Sequence, residues 1–200
     1  MEIKIQPMGH TQTNCYIVTI NKKDIIIDPG IDATGWVLNN TSNPIAILNT
    51  HGHYDHVWSN HELQEKLKVP LYIPKGDAFM LKKCPLGQTP PKSIADYLVE
   101  GDELLDIESI KVQYRHFAGH TPGNSIIEIE DVWFSGDFLF QNSIGRWDFP
   151  FSSKESMLKS LKKAMQIEAD FTLYPGHGMS STLKKEQKGM PMWLNYVSNS

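Results

Sequence analysis

The chain has little cysteine. Cys15 and Cys84 are its only two, far apart and in no metal or redox spacing. A disulfide framework is therefore excluded as the basis of the fold, and both residues read as reduced structural thiols. Long apolar runs are missing too: none approaches the ~20 residues that span a bilayer, so no membrane partner is expected. Positive charge is not in excess, since 19 Lys and Arg stand against 23 Asp and Glu for a net charge of −4. That balance argues against a nucleic-acid partner, which calls for a basic surface. The opening residues Met1-Glu2-Ile3-Lys4-Ile5 alternate instead of forming a basic stretch and an apolar core. No secretory signal is read there, and a cytoplasmic location is the expectation. Repeats and low-complexity segments are also absent. What remains is an ordinary globular composition, 40% hydrophobic and 21% charged. At this length residues 1–200 are expected to form a single domain around a real core.

Along the chain, short apolar runs alternate with turn residues. Ile3–Ile5, Cys15–Val18 and Ile25–Ile27 read as strands, the last ending in the break Asp28-Pro29-Gly30. Asp28 reads as a turn residue that could also support a ligating histidine. A short helix is expected over Ala33–Asn39, a strand over Ile45–Leu48, one helix over Val57–Lys68 and a strand over Val69–Ile73. Lys75–Cys84 reads as helical, and the proline-rich 85–91 segment as loop. The second half turns β-rich, with strands at Glu103–Ile107, Ile110–Phe117, Ser125–Ile129, Val132–Ser135 and Phe171–Tyr174. Ser152 and Glu155 form a capping box that opens a helix, and a last short helix starts near Thr182. Two blocks of strands, each followed by helices, argue for two packed sheets with helices outside, an α+β fold.

The chemistry concentrates in Thr50-His51-Gly52-His53-Tyr54-Asp55-His56, delivered by the strand ending at Leu48. Imidazole is the commonest metal ligand, and a carboxylate beside it suits Zn, Mn or Fe over Cu(I). His51 and His53, two apart, face one side of extended backbone, while the adjacent Asp55 and His56 diverge, which fits two neighbouring ions. Three later strand ends each add a ligand-type residue beside glycine: His120, Asp137 and His177. Seven such side chains exceed the needs of one tetrahedral ion and suit two ions with a shared carboxylate. A closed structural zinc site needs only four ligands, so a metal-binding module without turnover is the weaker reading. His10, His61 and His116 read as surface or satisfied core positions. Trp58 and Trp147 flank the site in sequence, as pocket or as core.

The His-x-His-x-Asp-His stretch with its distal His, Asp and His resembles the metallo-β-lactamase superfamily. The likeness runs from Asn14 to about Thr182. Gly119-His120-Thr121-Pro122-Gly123, the segment Gly136 to Asp148 and Tyr174-Pro175-Gly176-His177-Gly178 resemble the short glyoxalase II-like, or hydroxyacylglutathione hydrolase-like, branch. The resemblance implies a four-layer αββα sandwich with two divalent ions, zinc first and iron or manganese next, at one edge. It implies that His51, His53 and His120 hold the first ion, that Asp55, His56 and His177 hold the second, and that Asp137 bridges. Two ions would supply a metal-bound hydroxide at neutral pH, which Asp55 would also orient. A leaving thiolate, with a free pKa near ~8.5, needs little protonation, so thioester hydrolysis asks least of these residues.

Glutathione or a related small thioester is the expected substrate. The residues after His177 are too few for the C-terminal helical domain with which glutathione-specific glyoxalase II enzymes grip that tripeptide. Met179 stands where those enzymes carry tyrosine, and Arg146-Trp147-Asp148 replaces their Lys-Phe-Tyr. Arg146 keeps a cation there and is the candidate for binding a substrate carboxylate, unless Asp148 takes it up to stiffen the loop. Persulfide dioxygenation by an iron centre is the alternative on the same fold, with lactone hydrolysis behind it. The oligomeric state is left open.

Overall fold

A computed structural model describes all 200 residues. The first half contributes β1 (Glu2–Met8), β2 (Thr13–Ile20), β3 (Lys23–Ile27), α1 (Ala33–Asn40), β4 (Pro44–Leu48), α2 (Tyr54–Val57), α3 (Asn60–Leu67), β5 (Leu71–Pro74), a 3-10 helix over Lys75–Leu81, and β6 (Tyr97–Val99). These six strands form one sheet in chain order. The second half contributes β7 (Glu103–Ile107), β8 (Ile110–His116), β9 (Ser125–Ile129), β10 (Val132–Gly136), the small hairpin β11 (Leu139–Phe140) and β12 (Ser143–Ile144), α4 (Lys154–Met165), β13 (Thr172–Pro175), β14 (Ser181–Thr182), α5 (Leu183–Gln187) and α6 (Met190–Asn199). Its main sheet runs β14-β13-β10-β9-β8-β7. No helix is long and apolar enough to cross a membrane.

Strand periodicity sorts the core into three bodies. In β3, Ile25 and Ile27 point between the sheets, where they meet Val112, Tyr114, Ile127 and Phe134 of the second sheet. Ile26 points the other way, onto Ala33 and Val37 of α1 and Leu63 of α3. On the second sheet, Ile126, Trp133 and Leu173 face outward against Met157, Leu161 and Ala164 of α4 and Val197 of α6. The layers are therefore helices, sheet, sheet, helices: the αββα sandwich expected.

The parallel pairs β3–β4 and β10–β13 send four strands' carboxyl ends to one edge of the sandwich. There the sheets are laced together. Asn14 N donates to Gly176 O (2.7 Å), Tyr16 Oη to Pro175 O (2.6 Å), and Ser125 N to Thr50 O (2.9 Å).

Local readings fail where tertiary contacts compete. The helix expected over Val57–Lys68 forms only over Asn60–Leu67, and Val57 closes α2 instead, because Ser59 gives its N–H to Pro29 O (3.0 Å) and its hydroxyl to Gly30 O (2.6 Å). The strand expected at Val69 begins at Leu71, and Lys75–Cys84 forms only a 3-10 helix to Leu81. The cap of α4 is Ser153, which accepts from Ser156 N (3.1 Å), and not Ser152, whose hydroxyl donates to His120 O (2.6 Å). Glu155 pairs with Lys159 instead of closing a box. β6, the β11–β12 hairpin and α6 were not legible in the pattern.

Candidate metal centre

β4 ends at Leu48, and the next turn places His51 and His53 before α2 supplies Asp55 and His56. His120 comes from the loop after β8, Asp137 follows β10, and His177 follows β13. All seven converge. One donor atom from each of His51, His53 and His120 lies within 4.8 Å of the others, and the same holds for Asp55, His56 and His177. Asp137 stands between the groups, with Oδ2 at 3.3 Å from His120 Nε2 and 3.5 Å from His177 Nε2, and Oδ1 at 3.4 Å from His56 Nε2. Asp55 and His56 do not diverge as adjacency suggested. The single turn of α2 brings Asp55 Oδ2 within 3.7 Å of His56 Nε2.

Glycine makes the room. A Cβ on Gly176 would lie 2.1 Å from Asp137 Oδ1 and 2.7 Å from His56 Cε1. Gly136 turns with φ of +50°, and a Cβ there would meet Thr50 Oγ1 at 2.5 Å.

The outer nitrogens of four rings are tethered. His56 Nδ1 donates to Asp28 Oδ2 (3.0 Å), His120 Nδ1 to Arg146 O (2.9 Å), and His177 Nδ1 to Thr11 O (3.2 Å). His51 Nδ1 lies 3.0 Å from Thr50 Oγ1, which itself donates to Asp28 Oδ2 (2.6 Å) and so accepts from the ring. A neutral imidazole that donates from Nδ1 presents the lone pair of Nε2 to the centre. Asp28 thus orients one ring of each group, directly and through Thr50. It does more than turn the chain, as its φ of 49° shows it also does. The close group Asp28, His51, His56 is this back side of the rings. Thr13, which the sequence did not single out, donates to Asp55 Oδ2 (2.7 Å).

The donor set fits cations. His51 Nε2, His56 Nε2 and Asp137 Oδ1 are buried in the centre without a hydrogen-bond partner. Each such group costs about 1–3 kcal/mol unless something satisfies it. Burial holds His51, His53 and His120 below the ordinary imidazole range, His53 at about 3. The second group behaves oppositely. Burial opposes charge on His177, yet Asp137 and then Asp55 push it up to about 10. Burial likewise works against ionised Asp55 and Asp137, but His56 and His177 hold both carboxyls below their ordinary range.

The other expected residues lie apart. Arg146 contributes its carbonyl to His120, but its guanidinium grips Asp148 through Nε (2.8 Å) and Nη2 (2.7 Å) and stacks over Phe149 at 4.3 Å. Phe149 in turn flanks His53 and His120, with centroids 6.1 and 5.8 Å away. Trp147 packs against the outer core of the second sheet, and Trp58 against Tyr54. His10 and His61 are exposed, and His116 is tied through Nε2 to Pro122 O (2.9 Å).

Five imidazoles and two carboxylates, gathered at strand ends between two sheets with their lone pairs turned inward, define a centre of the metallo-hydrolase class. A family profile describing the Metallo-beta-lactamase superfamily matches residues 8–177, and the chain belongs to that superfamily. The hydroxyacylglutathione hydrolase GloC of Haemophilus influenzae is 31% identical over 213 residues, covering 99% of this chain and 100% of its own. The crystal structure of the BLEG-1 B3 metallo-beta-lactamase superposes with a TM-score of 0.87 at 30% identity, covering 96% of this chain and 99% of that one. The structure of TTHA1623 in a di-iron-bound form gives a TM-score of 0.81 at 30% identity, covering 94% and 99%.

Proposed function

We propose that the protein hydrolyses glutathione thioesters or related small thioesters at a dinuclear centre. The observation that carries this reading is the placement of Asp137 between two three-donor groups, with His51 Nε2, His56 Nε2 and its own Oδ1 buried without a hydrogen-bond partner. His51, His53 and His120 would hold one ion, Asp55, His56 and His177 the other, and Asp137 would be shared. Zinc is the first expectation for both. Such ions, when bound, acidify water to near neutrality and polarise a carbonyl.

The chain's own residues do the rest. Asp55 stays ionised between His56 and His177, with Thr13 fixing its Oδ2, so it orients the attacking water by accepting a hydrogen bond. No lysine or tyrosine is among the seven assembled residues to serve as proton donor to the leaving group. A thiolate near its free pKa of ~8.5 leaves without one, whereas an amine would not. The likeness to GloC supports a glutathione thioester. Arg146 would receive a substrate carboxylate on the guanidinium edge that Asp148 leaves free. It also lines a groove of about 680 Å³ with Trp147, Trp193 and Tyr196.

Assay of purified protein loaded with Zn, Mn or Fe against thioesters, lactones and persulfides tests the reading. Turnover of thioesters, rising with pH to a plateau near neutrality, is expected. Asp55→Asn should depress kcat more than it changes KM, and a wild-type rate in that variant would sink the orienting role. A second reading, oxygen chemistry on iron with a persulfide, draws support from the di-iron neighbour. Oxygen uptake with glutathione persulfide, without thioester turnover, would select it.

A further inference from the structure

Asp77 has no part in the reading above, yet it is fully buried, at 0% exposure, beside the centre. It sits in the 3-10 helix over Lys75–Leu81 and no lysine or arginine pairs with it. Its Oδ2 accepts from Gly52 N (3.0 Å) and Thr121 Oγ1 (2.5 Å), and its Oδ1 accepts from Gly123 N (2.6 Å). Gly52 lies between His51 and His53, and Thr121 directly follows His120. One carboxylate therefore grips both loops that supply the first group of imidazoles.

The packing is as close as backbone allows. A Cβ on Gly52 would lie 2.7 Å from Asp77 O, one on Gly123 2.7 Å from Asp77 Cγ, and one on Gly76 3.0 Å from Gly123 N. Burial pushes the Asp77 carboxyl up to about 6, against the three donors that favour its charge.

His51, His56, His120 and His177 are each oriented by an acceptor on the outer ring nitrogen. His53 has none: its Nδ1 faces His120 Nε2 at 2.9 Å, and its Nε2 is buried without a partner. Apart from the rings packed around it, the side chain is placed through its backbone, and the neighbouring amide, Gly52 N, is the one Asp77 anchors.

We propose that Asp77 is a positioning residue for the first metal group, setting His53 against His120 by clamping the Gly52 and Thr121–Gly123 backbones to one carboxylate. The proposal rests on the reading that His51, His53 and His120 hold an ion. Loss of an orienting partner behind a ligand costs about 10–100-fold in metal affinity.

The test is a zinc competition titration with a chromophoric chelator on wild type, Asp77→Asn and Asp24→Asn. Asp24 is a comparably buried carboxylate (4% exposed) that accepts from Thr19, Ser42 and Asn43 at the far end of β3 and touches no ligand loop. Asp77→Asn should weaken one of two zinc affinities about 10–100-fold and leave the other within about threefold. In the His177→Ala background the weakened ion should be the one that remains. Asp24→Asn should lower Tm and leave both affinities unchanged. If Asp77→Asn does not fold, Thr121→Val, which removes one donor only, should still weaken the same zinc severalfold. Two unchanged affinities in Asp77→Asn, or in Thr121→Val where that variant decides, would overturn the proposal with the dinuclear reading intact. A wild type that takes up no zinc would sink both together.

Discussion

The two groups that meet at Asp137 are built differently. The first is nitrogen only, and its three rings are 0–3% exposed and held neutral by burial. The second carries its own carboxylate, and the His177 side chain is 31% exposed. Its charges are paired with one another: His56 and His177 are pushed up while Asp55 and Asp137 are pushed down. Two designs follow from one fold. A closed, preorganised nitrogen pocket suits retention of an ion, and a partly open, charged group suits access by water and substrate.

The sharpest way to break this comparison is to remove the residue both groups share. Asp137→Ala should abolish binding of two ions and cut turnover by roughly a thousandfold or more. Retention of two ions, measured by metal analysis after dialysis, would show that the groups are independent. His177→Ala acts on one side only. It should lower ion content toward one per chain, with the fold kept and turnover severely reduced, because the first group is complete without it.

A smaller effect is expected beyond the ligands. Arg146→Ala should raise KM for carboxylate-bearing thioesters by an amount worth ~1.5–3 kcal/mol and leave neutral thioesters of equal size nearly unchanged. Equal losses for both, or a large fall in Tm, would mean that the bidentate pair with Asp148 is all that Arg146 provides. Smallest is a slope. Asp77 is raised to about 6 in the fold from about 3.9 unfolded, so its contribution to stability is fully present below pH ~4 and is lost as pH rises through ~6. In metal-free Asp77→Asn, urea midpoints followed between those limits should lack this decline, and an identical slope in wild type and variant would refute the shift.

How much of the site could be read beforehand depends on whether a residue's chemistry is signalled by its neighbours. His51, His53, Asp55 and His56 announce themselves by spacing, and His120, Asp137 and His177 by glycine at a strand end. Asp28 reads as a turn residue that could support one ligating histidine, and the structure shows it orienting two rings. Thr13 and Asp77 carry no such signal, because a buried hydroxyl or carboxylate looks in sequence like any polar loop residue until its partners are known.

By itself, then, the sequence determined the alternation that makes two sheets, the helical faces that cover them, and the donor types at the strand ends. These depend on periods of two and 3.6 and on ligand chemistry, which are local properties. Tertiary structure alone decided that Ser59 separates α2 from α3, that Asp137 stands between the two groups, and that Asp77 reaches Gly52, Thr121 and Gly123 at once. Each of these rests on a hydrogen bond or ion pair whose partner is fixed only when the elements pack, and none is encoded in the period of the chain around it.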